Sequence, residues 1–376
     1  MTSELDARHL ERAIDLAALG GNLVSPNPRV GAVVVRDGKV VGEGYHQQAG
    51  GPHAEVEAIR NAGQDLTGAT IYVSLEPCCH QGRTPPCTDA IRESGIARVV
   101  VASDDPSAHA SGRGLGILRD EGVEVVVADG DLAGRARMLN QPFRKHARTG
   151  RPWVMFKSAM SLDGKVATRS GDSKWISGVP SRQLVHEWRA ASDAVAVGIG
   201  TALADDPILT ARIGGSGSDT LAPRQPRRVV FDSLAQLPLN SRLLEAATTI
   251  PLTVVVSRAA PRTATDALQT RGVDVIIATG ENEQARVRSA LDQLGASDVT
   301  SLLLEGGPKL AGVFLDAEEI DEVRLFMAPL LLGGRGARDP LESEGVEFVS
   351  DALRSLTLEC DRIGEDLLVT ARLREW

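Results

Sequence analysis

One histidine, one glutamate and two cysteines form the group of residues whose types suggest the clearest chemistry. His53 and Glu55 lie in the segment Pro-His-Ala-Glu at 52–55, and Cys78 and Cys87 follow in the next stretch of chain. An imidazole and two thiolates are common zinc ligands, and three protein ligands leave a fourth position open for water. Zinc lowers the pKa of that water to roughly 7, so a carboxylate beside it can carry protons at neutral pH. We therefore interpret the group as a zinc site, with Glu55 as its catalytic proton carrier and not a ligand.

The order of these residues is typical of one class of zinc enzymes. His-x-Glu followed by Pro-Cys and a second cysteine is the pattern of zinc-dependent base deaminases. Those enzymes have two residues between the cysteines, whereas eight separate Cys78 from Cys87. The wider spacing argues against an ordinary nucleoside or nucleic-acid base as the substrate. A Cys78–Cys87 disulfide and a non-catalytic zinc module, which would not need Glu55, are the alternatives.

Composition indicates an ordinary globular protein. A prior of about 150 residues per domain predicts two domains for a chain of 376 residues. The net charge of −9 argues against a general nucleic-acid binder, and four cysteines do not make a disulfide scaffold. The first residues lack the pattern of a secretory signal, and no apolar run approaches the roughly 20 residues that span a bilayer. We expect a cytoplasmic protein with neither a nucleic-acid nor a membrane partner.

The elements that must position the zinc site form an αβ series. Hydrophobic periodicity predicts an amphipathic helix over 5–19, and Asp37-Gly38 between two apolar runs predicts a hairpin. Helices and strands then alternate to about residue 128, which predicts a mixed sheet covered on both faces. The basic stretch 131–148 is interpreted as a helix or linker, with a phosphate-binding patch as the alternative.

A second αβ series begins after Thr149-Gly150-Arg151-Pro152, where Gly and Pro predict a domain boundary. Within it, a strand over 301–304 leads through Gly306-Gly307 into a helix from Lys309. Glycine turns at helix N-termini bind phosphate, because N–H groups and the helix dipole point at the anion. Gly-x-Gly-x-x-Gly is absent, so a standard Rossmann site is not indicated, and a purely structural turn is the alternative.

Motifs along nearly the whole chain resemble the bifunctional deaminase–reductase family of riboflavin biosynthesis. In the first half they are Ser-Pro-Asn-Pro at 25–28, Gly-Tyr-His at 44–46, Pro-His-Ala-Glu at 52–55 and Glu-Pro-Cys at 76–78 with Gly-Arg-Thr-Pro-Pro-Cys at 82–87. In the second half they are Ser-Leu-Asp-Gly at 161–164, Ser-Lys-Trp-Ile at 173–176, Asp-Asp-Pro at 205–207 and Glu-Gly-Gly-Pro at 305–308.

The resemblance implies an α/β protein of two domains. Residues 1–148 would form a cytidine-deaminase-like three-layer α/β/α domain with Zn²⁺, and residues 149–376 a dihydrofolate-reductase-like α/β domain with NADPH. The first would deaminate 2,5-diamino-6-(5-phosphoribosylamino)pyrimidin-4-one, and the second would reduce the ribosyl group of the product to ribityl. We also expect a homo-oligomer, either a dimer or a tetramer. The rival hypothesis is a nucleoside or tRNA deaminase with an accessory domain.

The family's motifs assign roles to residues of the first half. Its spacing favours Cys78 over Cys79 as the ligand beside His53 and Cys87, and we expect Cys79 to be a packed neighbour. The positions that would contact the deaminase substrate are Asn27, His46, Ala54, Arg83 and Thr84. An amide and an imidazole can read a pyrimidinone edge, and Arg83 can pair with phosphate.

The second half is assigned in the same way. The NADPH positions are Ala159, Trp175, Thr201, Asp205, Ser233, Gly307, Pro308, Lys309, Leu310, Ala311, Gly312 and Val313. The substrate positions are Ser173, Arg189, Leu209, Arg212 and Glu305. By charge, Arg189 and Arg212 suit the 5′-phosphate, whereas Asp163 and Asp205 are candidate polar groups near the transferred hydride. Lys157 and Lys165 have no assigned role and could be solvated residues at strand ends.

Overall fold

Two separate sheets organise the chain. The computed structural model describes residues 3–82, 84–214, 220–222 and 224–376. One unit comprises residues 1–150 together with Trp376, and the other comprises residues 151–375. None of the helices within the described ranges is long and apolar enough to cross a membrane.

The first unit is built on a five-stranded mixed sheet of order β2-β1-β3-β4-β5. Its strands are β1 (Gly31–Arg36), β2 (Lys39–Tyr45), β3 (Thr70–Val73), β4 (Arg98–Val101) and β5 (Glu124–Val127). Its helices are α1 (Glu4–Ala18), α2 (Ala54–Ala62), α3 (Cys87–Glu93), α4 (Arg113–Asp120), α5 (Gly130–Leu139) and α6 (Gln141–Thr149). β1 pairs antiparallel with β2 and β3, whereas β3, β4 and β5 run parallel. The predicted hairpin is confirmed.

Both faces of this sheet are buried. Ala32 and Val34 of β1 pack in a core with residues of α2, α3 and α4, whereas Val33 and Val35 pack in a core with residues of α1 and α5. Because successive side chains of a strand point to opposite faces, a continuous apolar strand needs cover on both sides. The three-layer arrangement follows directly from this pattern.

The second unit is built on a nine-stranded sheet of order β10-β9-β8-β7-β11-β6-β12-β14-β13. Its strands are β6 (Trp153–Ser161), β7 (Ala194–Gly198), β8 (Arg227–Phe231), β9 (Leu252–Val256), β10 (Asp274–Ile277), β11 (Ser301–Leu304), β12 (Glu322–Ala328), β13 (Thr357–Ile363) and β14 (Asp366–Arg372). Its helices are α7 (Val179–Ala191), α8 (Ile199–Asp205), α9 (Arg242–Glu245), α10 (Arg262–Thr270), α11 (Glu283–Gly295) and α12 (Pro308–Asp316). In this spatial order, all neighbouring strands from β10 across the sheet to β12 pair in parallel. Strands β14 and β13 then add an antiparallel edge.

The basic stretch 131–148, interpreted as a helix or linker, is helical. It forms α5 and α6, and Arg144 and Lys145 are only 2% and 1% exposed. Arg144 donates to the backbone oxygen of Asp104 at 2.8 Å and forms an ion pair with the Asp104 carboxylate. These cations are therefore engaged within the first unit, and a free phosphate-binding patch is not present at this pair.

Candidate active sites

Helix α2 positions two of the four residues of the first site. His53 is its N-cap residue and Glu55 lies in its first turn, where the side chain is only 3% exposed. The helix lies directly on β2 because Gly44 has no side chain: a Cβ there would lie 2.5 Å from the backbone nitrogen of Ala58. Close packing of helix on strand therefore determines where the imidazole and the carboxylate are placed.

The loop after β3 and the start of α3 bring the two cysteines to the same point. His53 Nδ1 lies 3.5 Å from Cys78 Sγ and 3.3 Å from Cys87 Sγ, and the three ligand atoms all lie within 4.8 Å of one another. Tetrahedral zinc bonds of about 2.0–2.3 Å separate a nitrogen and a sulfur ligand by about 3.6 Å. The donor set and its spacing therefore fit a zinc ion with three protein ligands.

The disulfide alternative is wrong, because Cys78, Cys79 and Cys87 are all free thiols. Hydrogen bonding with Cys87 lowers the pKa of the Cys78 thiol, and the same hydrogen bond raises the pKa of Cys87. The Cys79 Sγ atom donates instead to the backbone oxygen of His109 at 3.5 Å. Cys79 is thus directed away from the cluster.

Glu55 is close enough to the cluster to exchange protons with groups bound there. Burial raises the pKa of the Glu55 carboxyl to about 7, and the nearby Cys78 sulfur acts in the same direction. The Cys87 thiol beside its carboxylate acts to lower the pKa of Glu55. A carboxyl group with a pKa near neutrality can both accept and release a proton, which general acid–base catalysis requires.

Asn27 and His46 form a fixed pair beside the cluster. His46 Nδ1 donates to the backbone oxygen of Pro52 at 2.9 Å, since a carbonyl can only accept. Burial lowers the pKa of His46, so its neutral ring accepts at Nε2 from the Asn27 amide at 3.0 Å. The His46 ring packs edge-on against the ring of His53, with centroids 5.3 Å apart. The hydrogen bond orients the Asn27 amide and leaves its oxygen available as an acceptor.

Of the other three predicted substrate contacts, the structure describes Thr84 and Ala54. Thr84 Oγ1 lies 3.3 Å from His53 Nε2, and Ala54 is fully buried at the start of α2. Arg83 lies outside the described residues.

Glu76 has a positioning role that the sequence analysis did not assign. Its buried carboxylate accepts from the backbone nitrogens of Gly112 at 2.9 Å and Gly114 at 3.2 Å. A Cβ at Gly114 would lie 2.3 Å from the backbone oxygen of Pro77. The close approach of Gly114 to Pro77 holds the chain just before Cys78. The signal in the sequence was the place of Glu76 in the Glu-Pro-Cys motif at 76–78.

A cavity of about 270 Å³ marks the candidate site of the second unit. It lies at the carboxyl ends of β7, β8, β9 and β11, where ligands bind in open α/β sheets. Gly307, the N-cap of α12, lies on its wall, and a Cβ there would be 3.1 Å from Thr201 Oγ1. The bare glycine turn, the helix N-terminus and the cavity beside them fit a dinucleotide whose diphosphate lies at this turn.

Seven of the predicted NADPH positions line the cavity: Thr201, Ser233, Gly307, Pro308, Lys309, Leu310 and Val313. Ala311 is fully buried in the core, and a Cβ at Gly312 would lie 2.1 Å from the backbone oxygen of Glu342. The helical period explains why some predicted positions of α12 line the cavity and others do not, because consecutive residues of a helix point in different directions.

The remaining NADPH positions lie elsewhere among the described residues. Ala159 lies within β6, opposite Phe326 of β12, and Asp205 is the exposed last residue of α8. Trp175 is 73% exposed, with the guanidinium of Arg182 lying 4.6 Å from its ring centroid. None of these three lines the cavity.

Glu305, two residues before Gly307, forms a buried ion pair. Arg189 donates from Nε to Glu305 Oε1 at 2.6 Å and from Nη2 to Oε2 at 2.9 Å, and its Nη1 donates to the backbone oxygen of Thr210. Much of the guanidinium is therefore used within the protein, which disfavours Arg189 as a direct phosphate ligand and makes it the group that orients Glu305.

Lys157 is the residue of this cluster that the sequence analysis missed. It lies within β6, the parallel neighbour of β11, and its pKa is lowered by burial although the Glu305 carboxylate opposes the effect. Lys157 makes no hydrogen bond or ion pair with any residue that the structure describes, whereas Lys165 pairs with Asp339 at 2.6 Å. A half-buried ammonium without a partner among the described residues, beside a carboxylate that is only 9% exposed, indicates a ligand-binding position.

The other predicted substrate and hydride positions of the second unit differ in their burial and in their hydrogen bonds. Asp163 accepts from Ser161 Oγ at 2.6 Å and from the backbone nitrogen of Gly333 at 2.7 Å, and these bonds lower the pKa of its carboxyl to about 2. Its oxygens tie two loops together, which argues for a structural role. Leu209 is buried with a positive φ of 59°, and Arg212 and Ser173 are half-buried in loops.

Family models match both units. Residues 3–103 match the cytidine and deoxycytidylate deaminase zinc-binding region, and residues 152–369 match the RibD C-terminal domain.

Relatives match along nearly the whole chain. Riboflavin biosynthesis protein RibD of Actinobacillus pleuropneumoniae is 40% identical over 97% of this chain and 94% of its own length. The Escherichia coli RibD is 40% identical over 96% of this chain and 98% of its own length. This chain belongs to the RibD family.

Solved structures agree with this assignment. RibD of Acinetobacter baumannii is 37% identical and has a TM-score of 0.84, covering 99% of this chain and 100% of its own. A Thermotoga maritima diaminohydroxyphosphoribosylaminopyrimidine deaminase/5-amino-6-(5-phosphoribosylamino)uracil reductase is 37% identical with a TM-score of 0.82, covering 98% and 99%.

Membership of the RibD family confirms the predicted fold class and the combination of two activities. The chain is an α/β enzyme of riboflavin biosynthesis, with a cytidine-deaminase-like domain that uses Zn²⁺ and a reductase domain that uses NADPH. The match through the reductase half does not favour the rival nucleoside or tRNA deaminase.

The ligand set of the RibD zinc site can be tested through the two adjacent cysteines. We expect Cys79→Ser to retain one zinc ion per chain and Cys78→Ser to lose it, because only Cys78 Sγ lies beside His53 and Cys87. Serine is a poor replacement for a thiolate ligand. Metal analysis of the two purified variants checks the assignment, and zinc loss confined to Cys79→Ser would reverse it.

Proposed function

We propose that the first domain, residues 1–148, hydrolytically deaminates 2,5-diamino-6-(5-phosphoribosylamino)pyrimidin-4-one. The observation that supports this most strongly is the buried Glu55 beside the three-ligand cluster of His53, Cys78 and Cys87. A bound zinc ion would supply Lewis acidity that activates water for attack on the amino-bearing ring carbon.

The side chains of the domain have distinct proposed roles in this step. Glu55 takes a proton from the attacking water and delivers protons to the leaving amino nitrogen, which departs as ammonia. Asn27, oriented by His46, reads the polar edge of the pyrimidinone, and Thr84 lies on the far side of His53. Buried Ala54 leaves space for the ring, and Arg83 is proposed to pair with the substrate phosphate.

We propose that the second domain, residues 149–376, reduces the ribosyl group of the deaminated product to ribityl with NADPH. NADPH would supply the hydride, and the cavity beside Gly307 would hold its diphosphate. Glu305 is held by Arg189 and offers an acceptor to the pyrimidine, while Lys157 offers a donor beside it. Arg212 remains the proposed partner of the 5′-phosphate, together with Ser173 and Leu209 as neighbouring contacts.

Lys157 provides a test of this arrangement. We expect Lys157→Met to raise the KM for 5-amino-6-(5-phosphoribosylamino)uracil roughly 10- to 100-fold, the loss expected for a hydrogen bond to a charged group. NADPH affinity should not change. Lys165→Met is the matched control, since Lys165 pairs with Asp339 on a different loop. Equal kinetics for the two variants would show that Lys157 does not bind substrate.

The complete reaction is tested with the diaminopyrimidinone phosphate and the zinc-loaded enzyme. We expect ammonia release without NADPH, and NADPH oxidation only after deamination has supplied the uracil product. The product should be 5-amino-6-(5-phosphoribitylamino)uracil by mass spectrometry. Ammonia release from cytidine or tRNA, with none from this substrate, would overturn the proposal. We also propose that the enzyme acts as a cytoplasmic homo-oligomer, which sedimentation analysis checks.

A further inference from the structure

Arg286 is a half-buried cation on the cavity wall whose only ion pair among the described residues is a long one, with Glu283. It lies in the first turn of α11, lines the cavity, and its side chain is 26% exposed. Its guanidinium makes no hydrogen bond with any residue in the described part of the chain, and its nearest carboxylate is that of Glu283, 3.8 Å away. A guanidinium carries five N–H donors, and removing them from water without partners is costly. Its position therefore indicates an anionic ligand.

The position of Arg286 along the cavity, relative to the glycine turn, indicates which anionic group it could bind. The glycine turn at Gly307 follows β11, whereas the neighbouring Ser233 and Ser257 follow β8 and β9. Parallel strands lie about 4.8 Å apart, so Ser233 is roughly 10 Å and Ser257 roughly 14 Å from β11 in the order β11-β7-β8-β9. Ala278, which follows β10 at the edge of the sheet, and Arg286, in the first turn of the helix after β10, also line the cavity. The diphosphate turn and Arg286 thus lie at opposite ends of one cavity.

The serines complete the far end. Ser257 donates from Oγ to the backbone oxygen of Ser233 at 2.8 Å, and its backbone nitrogen donates to the same oxygen at 3.0 Å. Asp232 accepts from the backbone nitrogen of Leu237 at 2.8 Å, which shapes the turn after β8. These bonds hold Ser233 in place, and no described residue binds its hydroxyl. A guanidinium and a free hydroxyl are suited to a phosphate group.

We propose that Arg286 and Ser233 bind the 2′-phosphate of NADPH, and that Arg286 is the residue that selects NADPH over NADH. The inference rests on the proposed reductase function. The two cofactors differ only in that phosphate, which lies on the adenosine half, away from the reacting nicotinamide. Glu283 offers the opposite chemistry, since a carboxylate accepts from the free 2′-hydroxyl of NADH. The Glu283 side chain is 66% exposed, whereas that of Arg286 is 26% exposed and lines the cavity, so the phosphate is favoured.

The test compares Arg286→Met with Arg338→Met by calorimetry on the zinc-loaded full chain. Arg338 lines the same cavity, but its backbone pairs with that of Ala167 in the loop that follows β6. We expect Arg286→Met to weaken NADPH binding roughly 10- to 100-fold and to leave NADH binding unchanged. Arg338→Met should change the affinities for both cofactors by the same factor. Two probes test the same contrast without turnover. Arg286→Met should weaken binding of adenosine 2′,5′-bisphosphate, which carries the 2′-phosphate, and should leave binding of AMP, which lacks it, unchanged.

Two further variants make the result decisive. Arg286→Lys keeps the charge and should retain part of the preference for NADPH, while Glu283→Gln should leave NADH affinity unchanged. Equal losses for NADPH and NADH in Arg286→Met, or a specific loss of NADH binding in Glu283→Gln, would overturn the assignment. If the parent enzyme itself did not bind NADPH, both the Arg286 assignment and the proposed reductase function would be overturned.

Discussion

Replacing Glu55 with glutamine is expected to abolish most deaminase activity while leaving the zinc content at one ion per chain. The substitution preserves the shape of a side chain that is 3% exposed, and Glu55 is not among the three ligand residues. It removes the proton carrier, and general acid–base groups contribute about 10²- to 10⁴-fold to rate. Ammonia release should fall by that factor, whereas NADPH oxidation with the pre-deaminated substrate should proceed at the parent rate.

Glu57→Gln is the matched control for this experiment. Glu57 lies on the same helix, where it forms an ion pair with Arg60 rather than contacting the cluster. We expect its deaminase rate to equal that of the parent. Full ammonia release by Glu55→Gln would exclude the proposed proton transfer, and loss of zinc from that variant would show that Glu55 supports the metal site instead.

Replacing Gly307 with aspartate is expected to have the largest effect on the reductase domain. The backbone at Gly307 has φ −64° and ψ 169°, which any residue can adopt, and aspartate is a favourable N-cap for α12. Folding should therefore be retained. The new carboxylate would face the cofactor diphosphate, and juxtaposed like charges cost several kcal/mol. NADPH affinity should fall by roughly a hundredfold or more, as measured by calorimetry.

Two smaller changes at the same position separate charge from size. Gly307→Asn has nearly the volume of aspartate without its charge, and Gly307→Ala adds only a Cβ, 3.1 Å from Thr201 Oγ1. We expect NADPH affinity to be highest in Gly307→Ala, lower in Gly307→Asn and lowest in Gly307→Asp. Zinc content and deaminase rate should stay at parent values in all three variants. Unchanged NADPH affinity in a folded Gly307→Asp protein would show that Gly306-Gly307 is only a turn.

The zinc-site chemistry was readable from the sequence because it depends on residue types and short spacings. His53 and Glu55 are two residues apart at a helix start, and the local helix geometry alone places them at its N-cap and in its first turn. The hairpin at Asp37-Gly38 and the glycine turn before α12 are equally local. The roles in the reductase half came from the family resemblance, because its residues come from segments that are far apart in sequence.

Only the tertiary structure decided which of those distant residues meet. Lys157 and Glu305 become neighbours because β11 inserts between β6 and β7, and strand order depends on long-range packing that no local pattern encodes. The same holds for Arg286, which reaches the cavity through the crossover of α11, and for Arg144, a basic residue that burial and hydrogen bonding remove from solvent. Residues 307–313 show the limit most clearly. They are consecutive in sequence, yet the rotation of α12 turns Leu310 and Val313 toward the cavity and Ala311 into the core.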